Sequence, residues 1–175
     1  GRPVENPEAR YSELGKPFYG TPSSLGGHNW PPMAFSPRTG LVYIPTQELA
    51  LPYVSDPAYK KAPLGYNTGN RLGASVPQLT SPLKEAKGYL MAWDPVNQRE
   101  VWRAPRDTFG NGGTLATAGN VVFQGTGTGF FKAVRATDGQ ELFSLWGQTG
   151  ILAAPMTYMV RGKQYVAVLA GRSEE

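Results

Sequence analysis

Asn29 and Trp30 stand side by side in Gly26-Gly27-His28-Asn29-Trp30-Pro31, and Asn111 and Gly112 are adjacent in Phe109-Gly110-Asn111-Gly112-Gly113. An Asn side chain carries amide donors, and a Trp carries an indole face and one N–H. Glycine backbone lets a chain approach a flat ligand closely. Residues of these types can bind and orient a flat ligand where their loops come together. The alternative is structural: Asn29 caps a turn and Trp30 fills the core between sheets. His28 is the only imidazole; it could relay a proton or simply build its loop. Cysteine is absent, which excludes disulfides, zinc-thiolate sites and thiol nucleophiles. A single His excludes a multi-histidine metal site within the chain.

The elements that position these residues read as strands. Of 175 residues, 22 are Gly and 16 are Pro, well above the roughly 12% usual for the two together. Both are unfavourable inside helices. Short β-rich runs alternate with turn signals. Five hairpins are expected: 33–35 with 41–44, 88–93 with 99–102, 114–117 with 121–124, 130–134 with 140–143, and 154–158 with 164–169. Their turns carry Ser36-Pro37-Arg38-Thr39-Gly40, Asp94-Pro95-Val96-Asn97-Gln98, Ala118-Gly119-Asn120, Arg135-Ala136-Thr137-Asp138-Gly139 and Arg161-Gly162-Lys163. Ala92 and Ala133 are 41 positions apart, as are Trp102 and Phe143. That period suits a four-stranded propeller blade.

The expected fold is all-β, a partial β-propeller of about two and a half four-stranded blades in a single domain spanning 1–175. Residues 1–25 lead in. Residues 26–46 and 88–105 form the first blade, interrupted by a long loop at 47–87. Residues 109–146 form the second blade and 150–171 a half blade. A loop as long as 47–87 is usually functional or partner-contacting. Two and a half blades cannot close, because propellers need roughly 4–8. Other residues, another chain or copies of this chain must complete the ring. Three Gly-rich segments precede the first strand of successive blades: the two above and Gly147-Gln148-Thr149-Gly150-Ile151-Leu152. They should ring one mouth near the axis.

The charge balance is 17 Lys and Arg against 13 Asp and Glu, a net +4. The basic residues are scattered, with no stripe of the kind nucleic acid requires. No run of 18 apolar residues is present, so no membrane-spanning helix is expected. The N-terminal residues lack the apolar segment of a signal peptide and read like the middle of a longer protein.

Residues 26–45, from Gly26 through His28-Asn29-Trp30 to Pro45, resemble a signature of the pyrroloquinoline quinone (PQQ)-dependent alcohol dehydrogenases. So do Asn111-Gly112-Gly113-Thr114-Leu115-Ala116-Thr117-Ala118-Gly119 and Ala153-Ala154-Pro155-Met156-Thr157-Tyr158. The segments holding Ala92, Asp94 and Trp102, and Ala133, Gly139 and Phe143, resemble the family's tryptophan-docking repeats, with Arg135 where that repeat has Asp. The resemblance implies an eight-bladed quinoprotein-type propeller, of which this chain is the C-terminal part. It implies oxidation of an alcohol with PQQ as cofactor, with the general base and the Ca2+ ligands in residues outside this chain, so no catalytic residue and no metal ligand is assigned here. It implies a periplasmic location and contact between Asn29 and the quinone, and with the shared mouth of the loops it makes Asn29, Trp30, Asn111 and Gly112 the candidate PQQ-binding residues. Relatives often carry a Trp near Asn111; here Phe109 and Gly110 stand there. They also continue past Gly171 with a Gly-rich, aromatic-bearing loop, where this chain has Arg172-Ser173-Glu174-Glu175. The isolated chain is expected to be inactive. The competing reading is a non-catalytic β-propeller scaffold or protein-binding module.

Overall fold

The computed structural model describes residues 2–65, 67–71 and 85–171. Part of the long loop, and the tail 172–175, lie outside the described residues. The described chain contains a 3-10 turn (Pro7–Ala9), one helical turn α1 (Tyr11–Leu14) and twelve strands. The strands are β1 (Phe18–Gly20), β2 (Ala34–Ser36), β3 (Leu41–Glu48), β4 (Leu51–Tyr53), β5 (Lys87–Asp94), β6 (Arg99–Arg106), β7 (Thr114–Thr117), β8 (Val121–Gly125), β9 (Phe130–Arg135), β10 (Glu141–Trp146), β11 (Met156–Val160) and β12 (Lys163–Ala167). All five hairpins read from the sequence are present.

Two compact units emerge: Gly1–Gly26 with Leu49–Glu85, and Gly27–Glu48 with Ala86–Glu175. In the first, β1 pairs antiparallel with β4, joining the lead-in segment to the long loop. That pairing had no signal in the sequence, because both strands are three residues long and neither alternates. Tyr11 packs on Tyr53 with ring centroids 5.7 Å apart.

The second unit is built from repeats. One sheet runs β2-β3-β5-β6 and the next β7-β8-β9-β10, followed by the pair β11-β12; all pairings are antiparallel. The 41-residue period is visible in the register. Ala92 pairs with Trp102 and Ala133 with Phe143. Each pair adjoins a register shift, so Val101 and Leu142 sit unpaired in equivalent bulges.

The two sheets pack face to face. Leu41, Tyr43, Leu90 and Ala92 from the first meet Val122, Val134 and Ala136 from the second, with Trp102 against the cluster. Trp102 lies in the middle of β6 and covers Gly139 of the next sheet's outer turn, where an added Cβ would come within 2.6 Å of the ring. Its Nε1 donates to Ala136 O at 3.1 Å, and the Tyr43 hydroxyl donates to the same carbonyl at 3.0 Å. Only glycine combines that close approach with the left-handed φ of +75° at this turn.

The turns of the two repeats solve the same problem differently. Asp94 Oδ1 accepts from the backbone N–H groups of Val96 and Asn97, and Oδ2 accepts from the Asn97 amide at 2.6 Å. One period later, Arg135 and Asp138 replace Asp94 and Asn97, and they pair at 2.7 Å.

Candidate functional site

The loops before β2, β7 and β11 follow one another in space. Thr114 N donates to Pro32 O at 2.9 Å, and the Thr114 hydroxyl lies 3.2 Å from both Pro32 O and Tyr43 O. Gly113 N donates to Leu152 O at 3.3 Å. An added Cβ on Gly113 would lie 2.6 Å from Pro32 and 2.9 Å from Ala154. Gly113 is thus the point where all three loops meet.

The first loop is anchored to the end of β3. Gln47 N donates to Gly27 O at 2.8 Å. His28 Nδ1 lies 2.8 Å from Pro45 O. A carbonyl only accepts, so Nδ1 carries the hydrogen and His28 is fixed as loop structure on that side. This anchoring presents the next two residues outward. Trp30 is 67% exposed, so it does not fill the core between sheets. Asn29 is exposed, and its Oδ1 accepts from Trp30 N at 2.7 Å.

The second pair sits differently. Asn111 is buried; its Nδ2 donates to Thr108 O at 2.7 Å, and its Oδ1 accepts from Gly127 N at 3.3 Å. It lies over the Cα of Gly88, where a side chain would strike its amide. Gly112 donates its N–H to Gly125 O at 2.9 Å, and its carbonyl accepts from Gln124 Nε2 at 3.1 Å. A Cβ at Gly112 would fall 2.5 Å from Ile151 O.

Asn29 and Asn111 do meet at one place. With Pro31, Pro45, Thr46, Gln47 and Gly110 they line a small cleft of about 20 Å³. The Thr46 hydroxyl is buried without a partner. A tricyclic quinone does not fit inside such a volume. Beside the cleft, Asn29 and Trp30 are exposed, and their residue types offer amide hydrogen bonding and an indole face. Among the described residues, no group of three or more His, Cys, Asp or Glu side chains comes together. A larger cleft of about 510 Å³ lies in the first unit, lined chiefly by Tyr11, Phe18, Tyr19 and Tyr53, and none of the four selected residues reaches it.

Sequence reading missed a buried polar pair. Arg106 Nε donates to Gln124 Oε1 at 2.8 Å, and Gln124 is 0% exposed. The signal was available: Gln124 is two positions from the core residue Val122 and so shares its face of β8. A polar side chain on a core face requires a partner.

Residues 84–166 match the family of glucose/ethanol/alcohol dehydrogenase β-propeller domains. The dehydrogenase subunit of alcohol dehydrogenase (quinone) from Gluconacetobacter polyoxogenes is 45% identical, covering 98% of this chain and 24% of that protein. Quinohemoprotein alcohol dehydrogenase ADH IIB from Pseudomonas putida is likewise 45% identical over 98% of this chain and 24% of its own length. Among solved structures, quinohemoprotein alcohol dehydrogenase from Comamonas testosteroni superposes with a TM-score of 0.85 at 40% identity, covering 98% of this chain and 26% of that one. This chain therefore spans about a quarter of the length of the relatives it matches.

Proposed function

This chain belongs to the PQQ β-propeller family of alcohol dehydrogenases, and from that premise we propose that it supplies one wall and rim of the quinone site in an enzyme oxidising an alcohol. The observation carrying this reading is the exposed pair Asn29-Trp30, held outward beside the junction of three blade loops. When bound, PQQ supplies the two-electron redox chemistry of a quinone. This chain's residues bind and orient. The Asn29 amide donates to the rim of the ring system without adding charge, and the Trp30 indole offers a face for stacking. Asn111 and Gly112 hold the adjoining wall in place. Calcium, in this reading, is held by residues outside this chain, and the complete enzyme works in the periplasm.

The competing reading, a propeller module that binds other polypeptides without a cofactor, draws support from Asn111, whose amide is engaged at both ends by the chain itself. Equilibrium dialysis of PQQ against the complete protein separates the two. Asn29→Ala is expected to weaken PQQ binding by about 1–3 kcal/mol, the cost of removing one partner of a buried hydrogen bond. Its melting temperature should stay near that of the parent. Equal affinity in parent and variant, with folding intact, reduces Asn29 to loop structure.

A further inference from the structure

We propose that Arg106 and Gln124 form a buried clamp that sets the position of the Asn111-Gly112-Gly113 loop. Its bearing on the cofactor rests on the reading of that loop as part of the quinone wall. Arg106 ends β6, the outer strand of the first sheet, while Gln124 lies on β8 of the second. The clamp therefore spans two sheets. Gln124 uses both ends of its amide: Oε1 accepts from Arg106 Nε at 2.8 Å, and Nε2 donates to Gly112 O at 3.1 Å. Gly112 is gripped on its other side too, through its N–H to Gly125 O at 2.9 Å. Residues 124 and 125 thus fix both polar groups of a single glycine.

Packing alone does not account for this pair. Arg106 is only 9% exposed, and its second hydrogen-bonding arm reaches only its own neighbour, Pro105 O, at 3.0 Å. Its Nη2 is buried without a partner. Burying a guanidinium in this way is costly, and an apolar residue of similar volume would fill the space more cheaply. What the pair adds is geometry. The single N–H of Arg106 Nε takes the Gln124 Oε1, which fixes which way the amide points and aims its NH2 donor at Gly112. Burial pushes the guanidinium down to about 10, with Glu141 and Asp107 acting the other way, so it stays charged at neutral pH. Arg106 and Gln124 are positioning residues: they act through the loop.

Gln124→Glu tests this in the complete protein. A glutamate still accepts from Arg106 but cannot donate to Gly112 O. The Gly112 N–H keeps Gly125 O as its acceptor, so its exchange reports loosening of the loop and is expected to rise by about tenfold or more, the scale on which one buried hydrogen bond changes the cost of local opening. Amides of Ala92, Val122 and Val134 should keep the exchange of the parent. Arg106→Lys, which keeps the charge and loses the Nε–H held on Gln124 Oε1, should move the same loop amide by a smaller factor. The PQQ dissociation constant should rise with the loop exchange. Unchanged exchange at Gly112 in both variants overturns the clamp. Equal acceleration of the core amides also overturns it, since the pair then holds the whole sheet stack. Faster exchange at Gly112 with an unaltered PQQ affinity supports the clamp and removes the loop from the quinone wall.

Discussion

Asp94 shows how much of this chain's polar chemistry serves its turns. The amide and backbone N–H of Asn97 hold the carboxyl below its ordinary value of 3.8, with Val96 and Arg99 assisting. A depressed folded value contributes stability above pH 3.8, and that contribution disappears as pH falls through the lowered value. Thermal unfolding should therefore lose stability more steeply below pH 3.8 in the parent than in Asp94→Asn. Identical acid limbs would remove the capping role. Asp138 is held low in the same direction, first by the N–H of Gln140 and also by Arg135, so the second repeat retains an acid-sensitive turn in both proteins. The sequence showed the exchange of Asp94 for Arg135. It did not show that Asp138 restores the lost charge three residues on, because that pairing depends on the turn bringing them to 2.7 Å.

At the scale of the element, the repeat was legible because its period is set by local chemistry. The turn and strand residues of the β5-β6 hairpin recur 41 positions on in the β9-β10 hairpin, and each hairpin forms through neighbours in sequence. The equivalent bulges at Val101 and Leu142 were not legible; a bulge is a choice of register, and both registers place similar residues in the strand. The contact of Trp102 with Gly139 can be isolated by comparing two glycines. Gly139 and Gly162 are both left-handed, at φ +75° and +77°, but only Gly139 has a ring against it; nothing lies within 4 Å of the Cβ position at Gly162. Gly162→Ala should cost about 1 kcal/mol of backbone strain. Gly139→Ala adds overpacking against Trp102 and should cost about 1–3 kcal/mol more. Chemical denaturation of the two variants reads the difference, and equal costs would mean that the ring yields without penalty. The sequence nominated Asn29 and Trp30 through their loop motif and its family resemblance, whereas the Arg106–Gln124 pair forms across 18 residues and two sheets, and the pairing itself had no local signature.

Across the whole molecule, the second unit leaves surfaces that its own repeats say how to cover. Trp102 is covered by the outer turn of the next sheet, yet Phe143, its equivalent one period later, is 48% exposed. All six residues of β10 are exposed, and Trp146 stands at 61%. Among the described residues β12 pairs with β11 alone, so one strand edge is unpaired. Apolar area and open edges of this kind call for further blades. In the proposed reading, alcohol oxidation belongs to the completed ring, and the general base and calcium ligands come from residues outside this chain. Quinone-dependent dye reduction with an alcohol, PQQ and calcium tests this most directly, run on the 175-residue chain alone and on the protein with its remaining blades. The account predicts turnover only for the completed protein, with the chain alone lower by at least about 10²-fold, the smallest usual contribution of a general base. Comparable alcohol oxidation by the chain alone would contradict it.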